Sequence, residues 1–250
     1  MTLEQFFKQV PKAAVAFSGG TDSAFLLWLA REYGCDVHAY YVKTVFQPSF
    51  ELEDALRVTG ELGIPLSVVE KDVLSVPGAA ANGEDRCYHC KRALFTGLWE
   101  AVREDGYEVL LDGTNASDDA GDRPGMRALK ELNVRSPLRE CGITKKEVRE
   151  RSREAGLFTW EKPAYACLAT RIPTGTRITC ESLLKVERAE QALFRLGFYD
   201  FRVRMYGEGA RIQMREEQMP LLMEKRREVT EQLKEFFPAV LLDLEPRKGN

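Results

Sequence analysis

No apolar run in this 250-residue chain approaches the roughly 20 residues that a membrane-spanning helix needs. The first eight residues, Met1 to Lys8, lack the basic start and continuous apolar stretch of a signal peptide, so the expected compartment is the cytoplasm. Basic charge is not in excess: 36 Lys and Arg stand against 39 Asp and Glu, a net −3. That leaves no bulk cationic footprint for nucleic acid, which is therefore not an expected partner. Histidine is nearly missing, with only His38 and His89, and there is one CxxC and no second. Four ligands for a structural zinc are not on offer. Repeats and low-complexity segments are absent as well. What is present is 44% hydrophobic and 30% charged residues, enough for a sizeable core in one large domain or two small ones. Six cysteines in a reducing compartment read as metal-binding or catalytic rather than as disulfides.

Strand and helix patterns alternate through the first two thirds. Short apolar runs at 13–17, 37–42, 66–69 and 109–111 read as strands, and helical periodicity fills 23–33, 50–62 and 88–104. The alternation predicts an α/β fold, a Rossmann-like doubly wound parallel sheet with helices on both faces. A further helix is expected at 144–155, with Thr144 as N-cap and Glu147 completing a capping box. After an irregular stretch at 157–178 the order changes: helix 179–197, strands 200–206 and 210–214, helix 216–236, strand 239–244. The expected division is a first domain over 1–175 and a small α+β domain over 176–250.

Between the first strand and the first long helix lies Ser18-Gly19-Gly20-Thr21-Asp22-Ser23. Helix N-termini attract anions, and two glycines let the backbone approach a phosphate closely. Hydroxyls at Ser18, Thr21 and Ser23 add donors. The lysine of a Walker loop is missing. The pattern is instead the SGGxDS loop of enzymes that split ATP between its α and β phosphates. A well-capped βα turn is the plain alternative.

Three other groups invite chemistry. Cys87-Tyr88-His89-Cys90-Lys91 opens a helix whose apolar face runs through Leu94, Leu98 and Val102. Thiols there, beside Arg86, Lys91 and Arg92, lie in the positive potential that favours thiolate chemistry. Two buried small hydrophobes are the alternative reading. Cys167 falls in a loop with Arg171 four residues on, a setting for a nucleophile or sulfur donor. Cys35, Cys141 and Cys180 read as incidental. The run from Asp112-Gly113-Thr114-Asn115 to Asp118, Asp122 and Arg123 places carboxylates at a strand end, suited to Mg²⁺ held through phosphate oxygens and water. In the small domain Arg202 and Arg204 share one strand face, a pair suited to a phosphate, with Arg211 on the neighbouring strand.

Together these segments resemble the LarE family, ATP-dependent sulfur transferases of the PP-loop superfamily with an adenine nucleotide alpha hydrolase-like fold. The resemblance covers almost the whole chain: Ser18–Ser23, Arg86–Lys91, Asp112–Asn115 with 122–125, Ser136-Pro137-Leu138, 142–149, and Lys162-Pro163 through Cys167–Pro173. It implies adenylation of a carboxylate of pyridinium-3,5-biscarboxylic acid mononucleotide and its conversion to a thiocarboxylate, for nickel-pincer cofactor assembly. On that resemblance Ser18, Gly19, Gly20, Thr21, Asp22, Ser23, Gly113, Thr114 and Arg123 bind ATP, and Arg202 and Arg204 meet the substrate phosphate. Asp22 and Asp118 hold Mg²⁺. Two sulfur sources fit. Cys167 serves as a sacrificial donor, or Cys87, Cys90 and Cys167 hold a [4Fe–4S] cluster that binds sulfide from an external donor. A homo-oligomer, a hexamer in particular, is the implied assembly. The rival readings are a tRNA thiolase, an amidating ATP pyrophosphatase, and a non-catalytic ATP-binding sulfur carrier.

Overall fold

The computed structural model describes residues 1–118 and 124–247. The chain divides into two compact units, one of residues 1–79 and 85–162, the other of 80–84 and 163 onward.

The first unit begins with α1 (Leu3–Gln9), closed at its start by a reciprocal Thr2–Gln5 capping box. Then follow β1 (Lys12–Ala16), α2 (Thr21–Glu32), β2 (Asp36–Lys43), α3 (Ser49–Leu62), β3 (Leu66–Glu70), α4 (Pro77–Ala80) and α5 (Arg86–Glu104). β4 (Leu110–Leu111), α6 (Pro124–Glu131), α7 (Pro137–Glu140) and α8 (Lys145–Glu154) complete it, with a 3₁₀ turn at Phe158–Glu161. Its four strands pair in the order β3-β2-β1-β4, all parallel. The chain winds outward from β1 to β3, then crosses back to place β4 on the other side of β1. The strand order reverses there, and open α/β sheets bind ligands at such a point.

Alternation along the strands sorts side chains to two cores. Ala13 and Val15 of β1 and Val37, Ala39 and Tyr41 of β2 join Phe6, Phe25, Leu26, Val58 and Val148 on one face. Ala14 and Tyr40 point to the other, against Leu98 and Val102 of α5 and Tyr107. Helices therefore cover both faces of the sheet, as the sequence pattern predicts. Each fully buried large side chain contributes about 1.5–3 kcal/mol. The apolar face predicted for α5 is present, with Leu98 and Val102 buried and Leu94 half-buried.

The second unit carries a 3₁₀ turn at Leu168–Arg171, then α9 (Cys180–Arg195), β5 (Arg202–Tyr206), β6 (Gly209–Gln213), α10 (Met219–Glu224), α11 (Arg226–Lys234) and β7 (Val240–Leu242). β6 pairs antiparallel with β5 and parallel with β7. The single helix expected over 216–236 is instead a 3₁₀ turn and two helices. Lys225 leaves helical geometry at ψ 12°, and its ammonium donates to the Leu196 carbonyl at the end of α9, 2.9 Å away. α1 and α6 have no counterpart among the elements expected from sequence.

Candidate active site

The Ser18–Ser23 turn joins the C-terminal end of β1 to α2 at the reversal of strand order. Gly19 has φ +72°, and a Cβ there would meet the Glu51 carbonyl oxygen at 2.7 Å. Both conditions demand glycine. The loop is braced from within: Ser18 Oγ lies 3.1 Å from Ser23 Oγ, which donates to the Gly20 carbonyl at 3.2 Å. Gly20 occupies the N-cap of α2 without any side-chain cap. The first-turn N–H groups, which no helical carbonyl can take, are thus left facing an incoming anion. The Thr21 hydroxyl, counted by sequence among the donors, is instead buried and donates to the Thr159 carbonyl at 2.7 Å.

The turn after β4 packs against this loop. A Cβ on Gly113 would lie 2.8 Å from the Ser23 nitrogen, so only glycine lets the two turns meet. Asp112, buried, accepts from Thr114 Oγ1 at 2.6 Å and from Ser136 Oγ at 2.6 Å. Asn115 ties the two acidic residues together: its Nδ2 donates to Asp22 Oδ1 at 3.2 Å and its backbone N–H to Asp118 Oδ2 at 2.9 Å. Two carboxylates beside a phosphate loop form a donor set that fits Mg²⁺, a cation that takes few protein oxygens and relies on phosphate and water for the rest. Arg123 lies outside the described residues.

Two lysines with no role assigned from sequence complete the rim. Lys145, the first residue of α8, places its ammonium 2.5 Å from Asp22 Oδ2. The Thr144–Glu147 capping box predicted from sequence sets the start of that helix and so the lysine's position. Lys162 pairs with Asp54 and donates to the Gly19 carbonyl at 3.1 Å. Arg149 holds the strand of chain leading to it, through the carbonyls of Trp160 and Lys162. Both lie in segments that carry the family resemblance; the capping box further marks Lys145 at a helix start, whereas no local pattern links Lys162 to Gly19, 143 residues away.

Beside the loop a cavity of about 150 Å³ is lined by Phe17, Tyr41, Val42, Leu94, Phe95 and neighbours. It sits at the C-terminal ends of β1 and β2, and its mostly apolar lining suits a flat heterocycle. α5 links this cavity to the CxxC at its own N-terminus. Cys87 is exposed and Cys90 half-buried, three residues apart on one helix face. Arg86 Nη2 lies 3.9 Å from Cys87 Sγ. Neither histidine joins them: His89 is paired with Asp85 at 2.8 Å, and His38 meets Ser67 Oγ at 2.9 Å while stacked on Tyr40. Among the described residues, neither unit by itself gathers three His, Cys, Asp or Glu side chains as a metal-holding group. The three cysteines that the resemblance allows as a cluster are divided between the units, Cys87 and Cys90 in the first and Cys167 in the second.

In the second unit Cys167, half-buried, precedes the 3₁₀ turn that ends at Arg171. Arg202 and Arg204 of β5 reach the same loop, at the carbonyls of Ala164 and Thr170 respectively. They share a face, as the strand period requires. Among the described residues neither forms an ion pair with a carboxylate. Burial, then the Arg171 and Arg247 charges, pull the Arg202 guanidinium down to about 10. Arg204 is lowered by the same causes, with Arg211 adding to them. A buried and a half-buried cation with no carboxylate in ion-pair contact favour an anionic ligand. Of the remaining cysteines, Cys35 is buried, donates to the Val10 carbonyl at 3.3 Å, and burial pushes its thiol up to about 11.

A parallel sheet with reversal at β1 and an SGGTDS turn at that point define a PP-loop nucleotide-binding protein. No family model matches the chain. Over 97% of its length it is 32% identical to the pyridinium-3,5-bisthiocarboxylic acid mononucleotide synthase of Lactiplantibacillus plantarum, covering 89% of that enzyme. An uncharacterised protein of Synechocystis is 39% identical over 97% of this chain and 92% of its own. The tRNA-specific 2-thiouridylase of Thermotoga petrophila is 25% identical over 60% of this chain and 54% of its own. The chain belongs to the LarE family of ATP-dependent sulfur transferases.

Proposed function

We propose that this protein adenylates a carboxylate of pyridinium-3,5-biscarboxylic acid mononucleotide and converts it to a thiocarboxylate, a step in assembling a nickel-pincer cofactor. The observation that carries the reading is the likeness, over nearly the whole chain, to a synthase whose name states the bisthiocarboxylic product. ATP enters with its adenine in the apolar slot beside Tyr41 and Phe95 and its β and γ phosphates on the first-turn N–H groups of α2. The substrate carboxylate attacks the α phosphorus; the bond to the bridging oxygen breaks and pyrophosphate leaves. Lys145 and Lys162 supply positive charge where the pyrophosphate develops, in place of a Walker lysine. Asp22 and Asp118 are the residues that would hold Mg²⁺, which would supply neutralising charge to the phosphate oxygens.

Cys167 is the sulfur-bearing residue in this reading. Its thiolate attacks the acyl carbonyl and expels AMP, forming a thioester. Loss of the Cα proton and cleavage of the Cβ–S bond then leave dehydroalanine in the chain and the thiocarboxylate on the product. No oxidant is needed. Arg202 and Arg204 meet the mononucleotide phosphate.

Pyrophosphate release tests the first step: it is expected only with the biscarboxylated mononucleotide and to be lost in Gly19→Ala. Release with unmodified tRNA instead would make the protein a thiolase, and ATP binding without release a carrier. The intact mass after one turnover tests the second. The expected result is one thiocarboxylate per chain and loss of the elements of hydrogen sulfide from the protein. Near-stoichiometric iron and acid-labile sulfide in anaerobically purified protein, with multiple turnovers, would assign the sulfur to a cluster.

A further inference from the structure

The segment around Cys167 is held by its peptide carbonyls. Arg171 Nη1 donates to the oxygen of Ala166 at 2.7 Å, to that of Cys167 at 3.3 Å and to Thr170 Oγ1 at 2.9 Å. The rest of the guanidinium faces Glu190, with Nε on Oε1 at 2.9 Å and Nη2 on Oε2 at 3.1 Å. Their side chains are 0% and 2% exposed. Glu190 also accepts from the Val203 N–H at 2.9 Å and from the Tyr165 hydroxyl. Burial opposes the Arg171 charge, but the Glu190 carboxylate more than offsets it and holds the guanidinium above its ordinary value. Thr170 Oγ1 returns to the Cys167 carbonyl at 2.9 Å. With Ala164 and Thr170 taken by Arg202 and Arg204, four carbonyls within seven residues are anchored to guanidiniums.

A buried ion pair adds little net stability over apolar side chains of the same size. Its distinguishing property is direction: one planar fork spans a carboxylate and two peptide oxygens at once. We propose that Arg171, fixed by Glu190, is a positioning residue for sulfur transfer, orienting the Cys167 peptide so that the thiol is presented in a single geometry. The inference rests on Cys167 as the sulfur-bearing residue. Arg171 does not touch substrate; it acts through the backbone of the loop.

Arg171→Lys tests this, because an ammonium keeps the charge opposite Glu190 but lacks the fork. Thr170→Val, close in shape, removes only the hydroxyl bridge and guards against misfolding of the first variant. Three rates are measured on the full chain: the first pyrophosphate burst, first-turnover thiocarboxylate formation, and iodoacetamide alkylation of Cys167 relative to exposed Cys180. Arg171→Lys is expected to keep the wild-type burst and to form thiocarboxylate about 10- to 100-fold more slowly, the cost of roughly an ångström of misplacement. Cys167 alkylation is expected to rise several-fold, and Thr170→Val to change both in the same direction by less. Unchanged transfer and unchanged alkylation overturn the proposal. So does a parallel fall of burst and transfer in both variants, which marks a merely structural pair. If Arg171→Lys does not fold, Thr170→Val decides alone. If the wild type makes neither product, the functional reading fails separately. Alkylation then still decides the clamp, faster in the variants supporting it and unchanged overturning it.

Discussion

A methyl group is the smallest change that separates the tight contacts of this site from the loose ones. At Gly113 it would press on the Ser23 nitrogen at 2.8 Å, and backbone there has no way to yield without moving the start of α2. Gly113→Ala is expected to weaken ATP binding at least ten-fold with the fold retained, read by isothermal titration of a non-hydrolysable ATP analogue. Gly142, whose Cβ would meet nothing within 4 Å, is the contrasting position, limited only by its φ of +73°. Cys35 gives a residue-scale pH prediction. Its thiol is raised from 9.0 to about 11, first by burial and then by Asp36. The folded state therefore keeps a proton that the unfolded state releases, and stability falls as pH rises from about 9 to about 11. Urea midpoints across that window should fall more steeply for the wild type than for Cys35→Ala. Equal slopes would show that the thiol is not protected.

α8 shows how an element carries a residue to the site. The Thr144–Glu147 box fixes its first turn, and the next residue, Lys145, is thereby delivered to Asp22. Removing the cap in Thr144→Ala costs about 1 kcal/mol and loosens that delivery, so the expected kinetic result is a raised KM for ATP and a smaller change in kcat. A fall in kcat alone would disconnect Lys145 from nucleotide binding. The capping box was legible because both partners lie within four residues, and so were the strands of the sheet, whose alternation is a local property. The break at Lys225 was not legible. It depends on the carbonyl of Leu196, 29 residues away, which no periodicity over 216–236 encodes. α6 hid for a different reason: its eight residues follow a polar, acidic stretch that reads as turn.

At the scale of the whole molecule, a nucleotide bound only by the folded chain stabilises it by mass action. An ATP analogue at 100 times its Kd contributes about 2.7 kcal/mol, which raises the melting temperature of a domain of this size by roughly 5–10 °C. Thermal scans of the wild type and Gly113→Ala at one analogue concentration check it, with a smaller shift expected in the variant. Among the described residues no helix is long and apolar enough to cross a membrane.

Sequence by itself determined the class of fold and the position of the SGGTDS turn between the first strand and its helix. Strand period, the two glycines and the acidic turn are written in adjacent residues, and parallel strands with helical crossovers leave few topologies open. The ordered motifs also determined the family. Tertiary structure alone decided what the polar side chains do. It turned the Thr21 hydroxyl inward to Thr159 and brought Lys145 and Lys162 to the rim. It set Arg202, Arg204 and Arg171 on the carbonyls of the Cys167 loop. The physical reason is the range of the interaction. Backbone preference and hydrophobic period act over a few residues, whereas a buried charge takes whichever partner the folded chain presents, across any distance in sequence.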